Sequence, residues 1–166
     1  METARWLIVF VAFVTAIGGL LADYFIPASG RQHIRNPKWP PHAKFHNAQT
    51  ILMGLCLGVL AIAILFLRQP LSMNELGLAA IVSSLYWVGI FGACIFPGTA
   101  WVDPEFASAA PSPMGMPLQL LIGLVLVAIL GVALVTGFIG TVSGAHSLAV
   151  EGSTSGLYLL KVFLRP

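Results

Sequence analysis

Charge is what this sequence has least of. Only 8% of its 166 residues are charged, with eight lysines and arginines against six aspartates and glutamates. A soluble domain carries about 25% charged residues. The charged side chains of this sequence are therefore too few to cover a water-facing surface. The net charge of +2 is small and the basic residues form no run, which argues against a nucleic-acid partner.

Cysteine is also scarce, and its positions exclude another group of functions. The two cysteines, Cys56 and Cys94, both fall within apolar stretches. We therefore expect neither a disulfide framework nor a cysteine-based zinc site.

None of the long apolar stretches has a charged residue at its middle, which argues against an ion pump or a proton relay across a membrane.

Apolar residues are abundant, at 58% of the chain, with a mean hydropathy of +0.92. A helix needs about 20 predominantly apolar residues to cross a bilayer. Such stretches occur at about residues 6–22, 48–67, 76–96 and 118–142. They predict an all-α fold, a polytopic membrane protein whose single domain, residues 1–166, is a four-helix transmembrane bundle. A cleaved signal peptide is the alternative for the first stretch, but its apolar run is long and its cleavage site poor, so an uncleaved helix is favoured.

Four spans place the first and third loops on one membrane face, and both termini and the second loop on the other. His146 follows the fourth span, so about 30 Å of hydrocarbon separates it from the other histidines, and it is interpreted as an interfacial residue. The basic residues are divided equally between the two faces. We expect an integral, multi-pass protein with cytoplasmic termini, because the cations of the first loop can serve a ligand while the third loop is purely acidic.

Small and polar residues inside the spans predict how the helices pack. Gly54 with Gly58, and Gly89 with Ala93, have the spacing at which helices approach closely, within one bundle or between two copies. Polar groups at such depths need partners, so we expect them to face inward. They either bond between helices or line a cavity that opens towards the first and third loops; they include Asn47, Gln49, Ser83, Ser84, Tyr86, Trp87 and Gln119.

The first loop, residues 23–46, holds three of the four histidines. A Pro-Pro pair suits the opening turn of a helix, and His42 and His46 then lie one turn apart on one face of it. This spacing lets two imidazoles reach one ion, so a divalent-metal site of His42, His46 and His33 is one hypothesis. The other needs no metal, and assigns general acid–base catalysis to His42, His46, Asp23 and His33.

Aromatic side chains accompany these histidines. Interfacial anchoring is one interpretation, since tryptophan collects at the depth of the lipid headgroups. The other is a wall for an apolar ligand, which gives Trp39, Phe45, Asn36 and Trp101 as candidate ligand-binding residues. The four cations of the first loop have two similar interpretations, contact with headgroups or grip on an anionic substrate.

The loop also carries a resemblance. The loop resembles the signature of small four-helix membrane proteins of unknown function from bacteria and fungi. The resemblance is carried by Asp23, by His33, and by the run Asn-Pro-x-Trp-Pro-Pro-His-Ala-x-Phe-His that ends at His46. The resemblance implies that fold, but no reaction. Its signature positions here are Asp23, His33, Asn36, Trp39, His42 and His46. The layout is also similar in architecture to small membrane isomerases of the emopamil-binding type, although this chain has fewer intramembrane carboxylates.

Two functional hypotheses follow from the sequence. The first is a membrane enzyme, an isomerase, cyclase or hydrolase, with a one-sided His/Asp site that acts on a lipid-like or isoprenoid substrate. The second is a non-catalytic binding, transport-accessory or assembly subunit of a membrane complex. The expected partners are the lipid bilayer, a hydrophobic small molecule, and a membrane partner or a second copy of the chain.

Overall fold

The computed structural model describes residues 1–67 and 69–163, and the side chains of residues 1–67 and 69–144. This part of the chain is helical and contains no strand, so the predicted all-α fold is confirmed. Its α-helices are α1 (Glu2–Leu20), α2 (Pro27–Gly30), α3 (Pro41–Leu67), α4 (Met73–Gly92) and α5 (Leu118–Phe163).

Four helical segments are long and apolar enough to cross a membrane: Glu2–Phe25, Pro41–Leu67, Met73–Ile95 and Leu118–Gly144. The predicted multi-pass bundle is therefore confirmed at this level. The first three segments begin earlier than the apolar stretches that predicted them, because their first turns include polar or charged residues. In α4, for example, Ser72 and Glu75 form a reciprocal capping box that satisfies the first backbone N–H groups.

Helix α1 is the centre of the bundle and packs against α3, α4 and α5. Its inward face is buried and consists of Ala4, Ile8, Val11, Ala12, Thr15 and Ala16. Long apolar side chains on the outer faces of the helices, such as Phe10, remain exposed. A bilayer is as apolar as these side chains, so their exposure suits a lipid-facing surface.

The predicted close packing of small residues occurs between α3 and α1. A Cβ added at Gly58 would overlap the carbonyl oxygen of Ala12, and one at Gly54 would lie 2.9 Å from the carbonyl oxygen of Thr15. These glycines therefore serve packing within the bundle. Gly89 differs, because a Cβ there would have no neighbour within 4 Å.

Polar contacts between loops and termini agree with the predicted topology. Lys38 of the first loop forms an ion pair with Glu105 of the third loop. At the other end of the bundle, Arg5 donates a hydrogen bond of 2.9 Å to Gln69 of the second loop. The side chain of His146 lies outside the described residues, and the orientation of the termini stays a prediction.

Candidate functional site

A cavity of about 460 Å³ lies at the end of the bundle that carries the first and third loops. Small-molecule sites have volumes of about 300–1,000 Å³, so this cavity is of ligand size. Helices α1, α4 and α5 form its inner wall, and the two loops form its outer wall. The lining includes the ionisable and aromatic side chains of Asp23, His33, Trp39, Tyr86, Trp101 and Asp103.

The polar centre of the cavity wall is a pair formed by Asp23 and His33. Oδ1 of Asp23 lies 3.5 Å from Nδ1 of His33, and Oδ2 accepts a hydrogen bond of 2.8 Å from the side-chain amide of Asn47. The Asp23 side chain is 14% exposed, against 32% for His33. The carboxylate is therefore held from two sides, while the imidazole is the more accessible member of the pair.

A local fold brings these two residues together. The chain leaves α1 through a π-helical turn, Leu21–Phe25, and then enters the short helix α2, which Pro27 opens. Gly30 permits the close return of the chain, because a Cβ there would lie 3.3 Å from the carbonyl oxygen of Tyr24. Single π-helical turns are frequent at functional sites. Here the turn places Asp23 against His33, which lies three residues after the end of α2.

The hydrogen bonds of His33 determine which of its ring nitrogens carries a proton. Nδ1 lies 2.9 Å from the carbonyl oxygen of Ser29 and 3.5 Å from the Asp23 carboxylate. The Ser29 carbonyl oxygen can only accept a hydrogen bond, so Nδ1 must be the protonated nitrogen in the neutral ring. Nε2 then holds the lone pair, and it has no hydrogen-bond partner within the described part of the chain.

The other predicted ligand-binding residues divide into two groups. Trp39 and Trp101 both line the cavity, and the Trp39 ring meets the His33 ring edge-on at 6.1 Å between centroids. Asn36 is buried instead within the loop, where its side-chain oxygen accepts a hydrogen bond of 2.9 Å from the backbone N–H of Lys38. Phe45 is 62% exposed and does not line the cavity.

His42 and His46 form a separate pair at the start of α3. Both are exposed and outside the cavity lining, and their Nε2 atoms lie 3.0 Å apart. Nδ1 of His46 lies 3.2 Å from the side-chain oxygen of Gln49. The structure thus does not bring His33 to this pair, and no group of three or more His, Cys, Asp or Glu side chains suited to a metal occurs among the residues that it describes.

The partners of two polar residues in the spans were not assigned from the sequence. Asn47, which we expected to bond between helices or to line a cavity, donates a hydrogen bond to the Asp23 carboxylate. Trp87 also lines the cavity, and its indole N–H donates a buried hydrogen bond of 2.9 Å to Thr15 across the α1–α4 contact. Their polarity inside apolar spans was the available signal, but it identified no partner for either one.

Fold and cavity together define a multi-pass membrane protein with a ligand-sized pocket at one end of its helical bundle. Residues 7–136 match the model of the Family of unknown function (DUF6640), and the chain belongs to this family. The match extends from α1 into α5 and so includes every cavity residue named above. No curated protein and no solved structure matches the chain.

Proposed function

We propose that this protein is a membrane enzyme that performs acid–base chemistry on a lipid-like molecule held in the cavity. The observation that carries the proposal is the Asp23–His33 pair in the cavity wall, with Nδ1 of His33 hydrogen-bonded to the Ser29 carbonyl, the Asp23 carboxylate 3.5 Å away, and Nε2 without a hydrogen bond. A histidine whose Nδ1–H is held by an acceptor has a fixed tautomer. Its Nε2 can then accept a proton from a substrate.

The roles of the residues follow from their positions. His33 takes up and returns a proton at Nε2, and Asp23 stabilises the charged ring that forms in between. Asn47 fixes the carboxylate, so it is a positioning residue. Trp39, Trp101 and Tyr86 supply an aromatic surface against which the substrate packs. Isomerisation, cyclisation and hydrolysis of a lipid-like or isoprenoid molecule all require such a proton transfer.

Solvent isotopes test this proposal before the substrate is known. The protein, reconstituted in vesicles, is incubated with a total lipid extract in deuterium oxide or in oxygen-18 water, and the lipids are analysed by mass spectrometry. We expect enzyme-dependent label in one lipid species. Deuterium bound to carbon indicates an isomerase or a cyclase, whereas oxygen-18 indicates a hydrolase.

His33→Gln provides the critical comparison, since it removes the acid–base group while glutamine can still donate to the Ser29 carbonyl. His42→Gln is the matched control, because His42 lies outside the cavity lining. Label that persists unchanged in His33→Gln contradicts the proposal. A lipid that co-purifies with the protein but never acquires label supports the alternative, a non-catalytic binding subunit.

The exposed pair of His42 and His46 supports a second, separate proposal, that it binds a divalent metal ion. Zinc–nitrogen bonds are about 2.0–2.1 Å long, so two nitrogens 3.0 Å apart can bind the same ion. Gln49 accepts from Nδ1 of His46, which leaves the lone pair of that ring on Nε2, where the ion would bind.

Zinc binding by untagged protein in competition with a chromogenic chelator checks this prediction. We expect His46→Gln to lose the zinc that the natural protein binds, because a single imidazole on an exposed helix is a weak ligand. His33→Gln is the control and should bind as the natural protein does. Equal binding by His46→Gln would assign the metal to other residues.

A further inference from the structure

The charged side chains that line the cavity are acidic. Asp23 and Asp103 line it, and no lysine or arginine does within the described part of the chain. His33 adds at most one positive charge, so the two carboxylates keep the cavity negative whether this ring is neutral or protonated. Such a lining favours a cation and disfavours an anion, and the effect is larger at a membrane site than in water.

The cations of the first loop lie elsewhere. Lys38 is paired with Glu105, and the Arg35 guanidinium lies over the Tyr24 ring at 5.0 Å from its centroid. Neither lines the cavity. The interpretation that these cations bind an anionic substrate is therefore not supported, because none of them lines the cavity.

The two cavity carboxylates differ in how they are satisfied. Asp23 accepts from Asn47 and lies beside His33. The side chain of Asp103, by contrast, has no hydrogen bond or ion pair with any residue that the structure describes. Asp103 is thus the carboxylate that is available to a charged ligand.

Aromatic rings complete the same wall. Trp39, Tyr86 and Trp101 all line the cavity, two of them from the loops and one from α4. The faces of such rings attract cations, and aromatic cages are the usual way in which proteins recognise alkylated ammonium groups. Carboxylates and aromatic rings in one wall therefore select the same chemical group.

The helices also contribute apolar side chains to the cavity. Val14, Ile90 and Ile122 line it from α1, α4 and α5. Val14 precedes Asp23 by more than two helical turns, so this apolar side chain lies deeper in the bundle than the Asp23 carboxylate. A molecule that fits this gradient has a polar head at the loops and an apolar body between the helices.

We propose that the ligand of this cavity is a cationic amphiphile, an apolar chain or ring system that bears an ammonium group. The ammonium lies at the loops, between Asp23, Asp103 and the aromatic rings, and the apolar body extends towards Val14. This inference names the substrate class of the site proposed above and so rests on that function. Binding and turnover are nevertheless measured separately, so the failure of one is distinguishable from the failure of the other.

Three probes with the same alkyl chain test the inference: dodecyltrimethylammonium, dodecyl sulfate and dodecylphosphocholine. Each is titrated, below its micelle concentration, into the protein in phosphatidylcholine nanodiscs, and the heat from empty nanodiscs is subtracted. We expect saturable binding of the ammonium and none of the sulfate. Asp103→Asn should weaken ammonium binding about fivefold, and Trp101→Leu by up to about 30-fold.

Glu2→Gln is the matched control, because it removes the same charge at the opposite end of the bundle and should leave ammonium binding unchanged. Sulfate or phosphocholine binding as tight as that of the ammonium would overturn the inference, as would full ammonium binding by both cavity variants. Ammonium binding by a protein that shows no isotope incorporation would support the ligand class and contradict the proposed enzymatic function. Isotope incorporation into an anionic lipid would support the enzymatic function and contradict the ligand class.

Discussion

Among the helical glycines whose surroundings the structure describes, Gly58 is the one at which an added methyl group, in Gly58→Ala, should destabilise the bundle most. The new Cβ would overlap the Ala12 carbonyl oxygen and lie 2.6 Å from Cβ and 2.7 Å from the backbone N of Ala16. These neighbours belong to the backbone or are fixed to it, so no rotamer change relieves the overlap and α3 must move away from α1. We expect a loss of about 2–3 kcal/mol in the free energy of unfolding.

Unfolding of the purified protein by sodium dodecyl sulfate in mild detergent, followed by circular dichroism, measures this loss. Gly89→Ala is the matched control, because its Cβ meets no atom within 4 Å. For an unhindered surface position we expect a change within about 0.5 kcal/mol. Equal effects of the two substitutions would show that the α1–α3 contact is looser than described.

This comparison also marks a limit of prediction from sequence. Both Gly58 and Gly89 belong to small-residue pairs at the same spacing, yet only Gly58 lies against another backbone. The spacing predicts a face on which a helix can approach a neighbour. It cannot predict which helix provides that neighbour, because in lipid every face of a span is apolar and the hydropathy pattern does not distinguish them.

The helices themselves were predictable because backbone groups inside a bilayer must be satisfied within the chain. The start of α3 was predictable from its Pro-Pro pair. The helix begins at Pro41, before the apolar stretch, and carries His42 and His46 on its first turns. The four-residue spacing therefore correctly placed these two rings side by side.

The candidate site was predicted only in part, since its geometry depends on a turn that has no simple sequence pattern. Asp23 and His33 were both expected at the site, but their contact arises from the π-helical turn and from the close return at Gly30. Helical spacing favoured His42 and His46 as the centre, because it is the one geometric rule that applies without a structure. The cavity lining instead contains His33.

His33→Gln should therefore abolish most of the turnover. General acid–base catalysis by a positioned side chain contributes about 10²–10⁴-fold to a rate, and we expect a loss of kcat in this range. KM should change little, because Trp39, Trp101 and Tyr86 still provide the binding surface. The rate of solvent-isotope incorporation into the labelled lipid, measured over a range of lipid concentrations, separates kcat from KM.

Asp23→Asn tests whether the pair acts together. Asparagine keeps the size of the side chain but loses the charge that faces Nδ1 of His33 at 3.5 Å. The Ser29 carbonyl still holds the Nδ1 proton at 2.9 Å, so the tautomer survives and kcat should fall less than in His33→Gln. If Asp23 acts only through His33, the double variant should be no slower than His33→Gln, because residues that act as a unit are not additive. A further loss in the double variant would give Asp23 a role of its own, whereas loss in His42→Gln with full activity in His33→Gln would move the centre to the exposed pair.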